Sequence, residues 1–112
     1  MKEPWSYFRE PEMEYAFHEN DQTVRISGEL VFTDYRDFRI LWDRLLKAKP
    51  GANVTIDLSD LQFIDSAGLG MLLIVRDEAA RAQLSLVLKN PQGQVKRIFS
   101  ISRFETLFAI KH

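Results

Sequence analysis

The chain has 112 residues, 46% of them hydrophobic, and fifteen Lys and Arg against sixteen Asp and Glu give a formal net charge of -1. That length fits one compact domain with a core of its own, and the absence of Cys removes disulfide frameworks, thiolate zinc sites and cysteine nucleophiles together, in keeping with a reducing compartment. The balanced charge excludes the basic footprint of direct nucleic-acid binding, and the longest apolar run, Met71 to Val75, is far short of the roughly 20 residues that cross a bilayer.

Residues 1–11 carry prolines, charges and the aromatics Trp5, Tyr7 and Phe8 without a clear period, so they are expected to form an extension to a domain over 12–112. Such a tail is either disordered or docked, on its own domain or on a neighbouring copy, which leaves a homodimer open. Met13, Tyr15 and Phe17 then alternate with Glu14, Ala16 and His18, the polar stretch Glu19 to Gln22 follows, and Val24 and Ile26 resume the alternation. This is the pattern of a β-hairpin. Thr33 or Asp34 caps a predicted helix with Phe38, Leu41, Trp42, Leu45 and Leu46 on one stripe, ending at Pro50-Gly51. Val54, Ile56 and Leu58 predict a strand, a short loop follows, and Asp65 or Ser66 opens a helix to about Arg81.

Leu84 to Leu88 is apolar except for Ser85, as in a strand covered on both faces. Asn90-Pro91 is a cap and first turn for a third helix with Val95, Ile98 and Phe99 as its buried stripe, and Leu107 to Ile110 is the last predicted strand. A hairpin followed by alternating helices and strands implies an α/β domain, a mixed β-sheet with helices packed mostly on one face. Lys96, Arg97 and Arg103 are read as a solvated helix face.

The stretch from Val54 to Glu78 departs from a generic α/β domain. Gly68 and Gly70 stand in the first turns of its helix, where each costs up to about 1 kcal/mol relative to Ala. Either the helix start sits close to a neighbouring strand, or the missing side chains expose backbone to something that approaches closely. Leu69, Leu72 and Leu73 suffice for a core stripe, yet Met71, Ile74 and Val75 add apolar surface at other angles, so a partly exposed first half that meets a partner is expected. Ser66 beside Asp65 reads as a helix cap or as a phosphorylation site, since the positive end of a helix tolerates the added charge.

Ile56 to Leu72, with Asp57-Leu58-Ser59, a short loop and then Asp65-Ser66-Ala67-Gly68-Leu69-Gly70, resembles the signature of the STAS domain, the family of anti-sigma factor antagonists. Ser27-Gly28-Glu29-Leu30 resembles the family's second-strand motif and Val95 to Phe99 its last-helix pattern, so about 100 residues are covered. The resemblance implies that Ser66 is phosphorylated by a partner that is both anti-sigma factor and serine kinase, that a serine phosphatase reverses this, and that the unphosphorylated form sequesters the partner and frees the sigma factor. Asp65, Ser66, Ala67, Gly68, Leu69, Met71, Leu72 and Val75 would then form the partner-binding segment or its support. Independently of the resemblance, the short apolar runs and a polar N-terminus without a secretory pattern lead to the expectation of a cytoplasmic protein with no membrane insertion, and no cofactor is expected. Two departures stand out: Val31 where many members carry Asp after Gly-Glu-Leu, and Arg81-Ala82-Gln83 in place of a glycine-rich turn.

Other chemistry finds less support. A response-regulator receiver domain would use Asp57 as phosphoacceptor, but it also needs an acidic pair after its first strand and a late Lys, and Glu12, Glu14 and Lys96 do not supply them. His18 and His112 have no carboxylate at ligand spacing, so no metal is expected. Ser66 lacks the elbow motif of α/β-hydrolases, and phosphate-loop and dinucleotide fingerprints are absent, so no catalytic residue is expected. The remaining alternative is a STAS module serving as regulatory subunit of a membrane transport system.

Overall fold

A computed structural model of the chain describes residues 5–9, 13–18 and 22–112. Seven strands form one mixed sheet in which β1 (Trp5–Arg9), β2 (Met13–His18), β3 (Thr23–Leu30), β4 (Asn53–Asp57), β6 (Ser85–Lys89) and β7 (Ala109–Lys111) lie side by side in that order. β1, β2 and β3 pair antiparallel in succession, and β3, β4, β6 and β7 run parallel to one another. A further strand, β5 (Leu61–Ile64), pairs in parallel with the far half of β3. The helices are α1 (Tyr35–Leu45), α2 (Ser66–Arg81) and α3 (Gly93–Ile101).

The register aligns Val24 with Ile56 and Ile56 with Leu88, and all three are fully buried. Side chains on a strand alternate between faces, so this row marks the face turned to the core. Phe38, Leu41, Trp42 and Leu45 of α1, Met71, Leu72, Val75 and Ala79 of α2, and Val95 and Phe99 of α3 complete a single cluster with it. At the C-terminal end Phe99, Phe104 and Phe108 stack with ring centroids 4.9 and 5.0 Å apart. The Trp42 indole N–H is buried in this core without an acceptor among the described residues.

Gly28 explains how β3 serves two partners. Its φ of 83° lies where side chains are disfavoured, and the register to β5 shifts between Gly28 and Glu29. The strand passes from β4 to β5 across this irregularity, and Leu30 is carried to the start of α2.

Several boundaries differ from the sequence reading. Residues 5–9 of the expected extension form β1, which pairs with β2 in continuous register from Trp5 and His18 to Arg9 and Glu14. The rest of that extension, and all of the expected polar stretch Glu19 to Gln22 except Gln22, lie outside the described residues. The loop expected after Leu58 contains β5. Asn90 does not cap α3: it adopts φ 55° and donates its N–H to the Lys111 carbonyl at 2.6 Å, extending the edge of the sheet, and α3 starts at Gly93 with Gln92 as its N-cap residue. The last strand starts at Ala109, not Leu107, because 104–106 form a 3-10 turn that buries Phe104. Strand β6 is covered on one face: Leu88 is buried, whereas Ser85 and Lys89 on the other face are exposed. Gln83, where the glycine-rich turn was missed, takes φ 60° without a glycine.

Candidate functional site

The start of α2 is built on Asp65. This residue is extended, with φ -103° and ψ -177°, and its Oδ1 accepts the N–H of Gly68 at 2.8 Å, the geometry of an N-cap. Oδ2 accepts the N–H of Phe32 at 3.1 Å, and the Asp65 N–H donates to the Leu30 carbonyl at 3.4 Å. One carboxylate thus caps α2 and straps it to the turn between β3 and α1. That turn carries its own brace, with Asp34 Oδ2 accepting the N–H of Val31 at 2.9 Å. From the other side Gln94 of α3 grips the end of β5, its Oε1 accepting the Ile64 N–H at 3.0 Å and its Nε2 donating to the Ile64 carbonyl at 2.9 Å.

Of the two candidates for the cap, Asp65 therefore holds the position. Ser66 is the first helical residue and is exposed, and its hydroxyl is hydrogen-bonded to no other described residue. The two glycines separate into the two readings given for them. A Cβ on Gly68 would stand 2.3 Å from the Leu30 carbonyl oxygen and 2.6 Å from Ile64 Cγ1, so Gly68 permits the close approach of helix and strand. A Cβ on Gly70 would meet nothing within 4 Å. Nothing in the packing of the domain requires Gly70.

The faces of α2 differ from expectation at named positions. Met71, Leu72 and Val75, assigned to the partner-binding segment from sequence, are buried in the core at 3, 0 and 2% exposure, as is Gly68. Leu69 is half-buried against the same core. The outward apolar residue of the helix is Ile74, at 44% exposure, because α1 and the sheet together cover more of α2 than one stripe. Ile74, Ala67, Gly70 and the edge of Met71 form one wall of a groove of ≈ 520 Å³. Phe32, Thr33, Tyr35 and Arg36 form the other wall. Phe32 is 74% exposed and Tyr35 49%. Ala67 and Gly70, which follow Asp65 and Ser66 on α2, thus meet Phe32 and Thr33 of the β3–α1 connection and Tyr35 and Arg36 of the first turn of α1, four residues that the sequence reading did not assign to the site. Phe32 and Tyr35 carry no period of their own, and the strap from Asp65 together with the packing of α1 on α2 brings them beside that helix.

Arg36 is exposed and forms no ion pair among the described residues. Its neighbour Arg39 is fully engaged: the guanidinium grips both carboxylate oxygens of Glu78, with Nη2 to Oε2 at 2.6 Å, and also reaches Asp43 Oδ1 at 2.7 Å. The Arg39 hydrogen bonds hold the Glu78 carboxyl below its ordinary value of 4.5, and those to Glu78 and Asp43 push the guanidinium pKa further up. This bridge clamps α1 to α2 below the groove.

Asp57 is occupied in a turn. Its Oδ1 accepts the N–H of Ser59 at 2.9 Å and the Ser59 hydroxyl at 2.5 Å, which closes the end of β4. No group of three or more His, Cys, Asp or Glu gathers at metal-binding distance among the described residues, and none of their helices is long and apolar enough to cross a membrane.

Comparison with known proteins agrees with this architecture. The family model described as Mlab, STAS domain, matches residues 13–109. A STAS-domain containing protein of Pseudomonas aeruginosa is 36% identical over 88 residues, 79% of this chain and 85% of that protein. The anti-sigma-B factor antagonist of Bacillus subtilis is 31% identical over 94 residues, 83% of this chain and 84% of that protein. Among solved structures, an anti-sigma factor antagonist from Mycobacterium paratuberculosis superposes with a TM-score of 0.64 at 17% identity, covering 96% of this chain and 83% of that one. With its sheet order, its strapped helix start and a family match across nearly the whole described domain, this chain belongs to the STAS domain family.

Proposed function

We propose that the chain is an anti-sigma factor antagonist, a non-catalytic binding module whose grip on an anti-sigma factor is released by phosphorylation of Ser66. The observation that carries this reading is the division of labour at the start of α2. Asp65 caps the helix, which leaves the Ser66 hydroxyl exposed and unbonded, and by helical spacing Gly70 lies one turn on, toward the groove. The named relative from Bacillus subtilis supports the partner class. In this reading the partner is also the serine kinase, a serine phosphatase resets the switch, and the cycle runs in the cytoplasm.

The charge argument gives the direction of the switch. A phosphoserine carries about -1.5 to -2 charges, and the first-turn N–H groups with the helix dipole offset it by about 0.3 to 1 kcal/mol in the free protein. Folding is therefore nearly unaffected. In a complex that covers this face, the phosphate loses water beside the Asp65 carboxylate, and an uncompensated buried charge costs several kcal/mol. Phospho-Ser66 is expected to bind the anti-sigma partner at least roughly tenfold more weakly than the unmodified chain, a gap of about 1.4 kcal/mol. Ser66→Ala is expected to bind normally and to escape the switch. Mass spectrometry after incubation with the partner kinase, ATP and Mg²⁺ locates the phosphate, and titration calorimetry measures the gap. Equal affinities for the two forms would reduce Ser66 to a surface residue of the helix.

A further inference from the structure

The groove beside Ser66 has a chemistry that constrains what enters it. Its lining side chains are apolar apart from the hydroxyls of Thr33 and Tyr35 and the guanidinium of Arg36, and no carboxylate lines it. Arg36 is exposed and paired with no described acid, although Arg39, one helical turn away, holds two. Phe32, Tyr35 and Ile74 stand at 74, 49 and 44% exposure around it, an apolar cluster drawn from the 3-10 turn over Phe32–Asp34, from α1 and from α2 that the folded domain leaves in water. Gly70 completes the shape. It sits in the second turn of α2 at a cost of up to about 1 kcal/mol relative to Ala, and no neighbour within 4 Å would resist a Cβ.

We infer that this groove receives a helical segment of the partner protein that inserts apolar side chains between Phe32, Tyr35 and Ile74, passes its backbone over Gly70, and sets a carboxylate against Arg36. Charge complementarity chooses this occupant: an apolar slot with one unpaired cation at its rim selects an apolar anchor flanked by Asp or Glu, and rejects a segment with Lys or Arg at that position. An amphipathic helix presents such a set from residues one turn apart, and a volume of ≈ 520 Å³ is of the size that takes a few side chains. Arg36 thus decides which partners bind, and Ser66, one helical turn before Gly70, decides when. The inference rests on reading this face as the partner surface, and it concerns the chemistry of recognition, independent of phosphorylation.

The test selects binders from a library of random helical peptides displayed on phage, with the unphosphorylated full chain as bait. Enriched peptides are expected to carry apolar residues one helical turn apart together with Asp or Glu, and to shift the backbone amide signals of Phe32, Tyr35, Gly70 and Ile74. The synthesised peptide is expected to lose at least about tenfold in affinity for Arg36→Glu and for Gly70→Leu, both checked for folding by circular dichroism. Exchanging the peptide's acid for Lys is expected to restore binding to Arg36→Glu. Peptides without an acidic preference, indifference to Arg36→Glu, or shifts confined to another face would overturn the inference. So would self-association of the wild-type chain in sedimentation equilibrium that Arg36→Glu abolishes, since a second copy would then fill the groove, and so would saturable uptake of a single-chain lipid probe in place of peptide. Binding of the peptide that Ser66→Asp leaves unchanged would separate the two readings, removing the switch while leaving the groove in place.

Discussion

The two glycines at the start of α2 look equivalent in sequence and are opposite in physics. Gly68 faces the Leu30 carbonyl, and the oxygen at 2.3 Å from a prospective Cβ belongs to a strand that cannot yield without moving Asp65, whose N–H it accepts. Gly68→Ala is expected to destabilise the domain by about 1 to 3 kcal/mol, the range for overpacking. Gly70→Ala meets no obstacle and gains helix propensity, so it is expected to stabilise by up to about 1 kcal/mol. Chemical denaturation of the two variants against the parent checks the pair, and the same sign for both would show that the packing at one of them has been misjudged. The residue scale also accounts for Asp65. A carboxylate with one oxygen on its own helix and the other on the Phe32 N–H ties the start of α2 to the wall of the groove.

At the scale of elements, the groove depends on how α1 and α2 are held. The Arg39 to Glu78 bridge is bidentate and partly screened from solvent, with side-chain exposures of 32 and 17%. Because the bridge lowers the Glu78 pKa on folding, its contribution is present in full above the ordinary value of 4.5 and is lost as pH falls through the lower folded value. Arg39 stays charged throughout and adds no pH dependence of its own. Glu78→Gln is expected to cost about 0.5 to 1 kcal/mol at neutral pH, the upper part of the range for exposed pairs. The gap between variant and parent is expected to narrow below pH 4.5, measured by denaturation across a pH series. A gap that stays constant with pH would mean that the ionised state of Glu78 is not the source of the difference in stability. The burial of Met71 and Val75 belongs to the same scale: helix α2 is wedged between α1 and the sheet, so its outward apolar surface is narrow and centred on Ile74.

For the whole molecule, one core cluster runs from Met13 of β2 to Phe108 near the C-terminus and engages all three helices. The Cα radius of gyration of 13.1 Å is that of a compact chain of this length. No helix has a core separate from the sheet, so unfolding is expected to be a single cooperative transition, with fluorescence and far-ultraviolet circular dichroism giving coincident urea curves. Separate transitions would show that part of the sheet melts on its own. Only one face of β4 and β6 is covered, which leaves Ser85 and Lys89 in solvent.

What the sequence determined by itself follows from local rules. The alternation in Met13 to Phe17 and in Val24 to Ile26 specified a hairpin, the spacing of Phe38, Leu41, Trp42 and Leu45 specified a helix and its buried side, and the Asp65-Ser66-Ala67-Gly68 segment marked the family. These signals are legible because a strand's period and a helix's period act within a few residues. What only the tertiary structure decided involves contacts across the chain. Strand β5 exists because the irregularity at Gly28 frees the far half of β3 to pair with it, and Asn90 leaves its helix because the sheet edge takes its N–H. The periods could not say which of Met71, Ile74 and Val75 faces water, since that depends on where α1 lies. The groove is the extreme case. Phe32 and Asp65 are 33 residues apart, and nothing in either neighbourhood signals the hydrogen bond that joins them and sets the wall beside the start of α2.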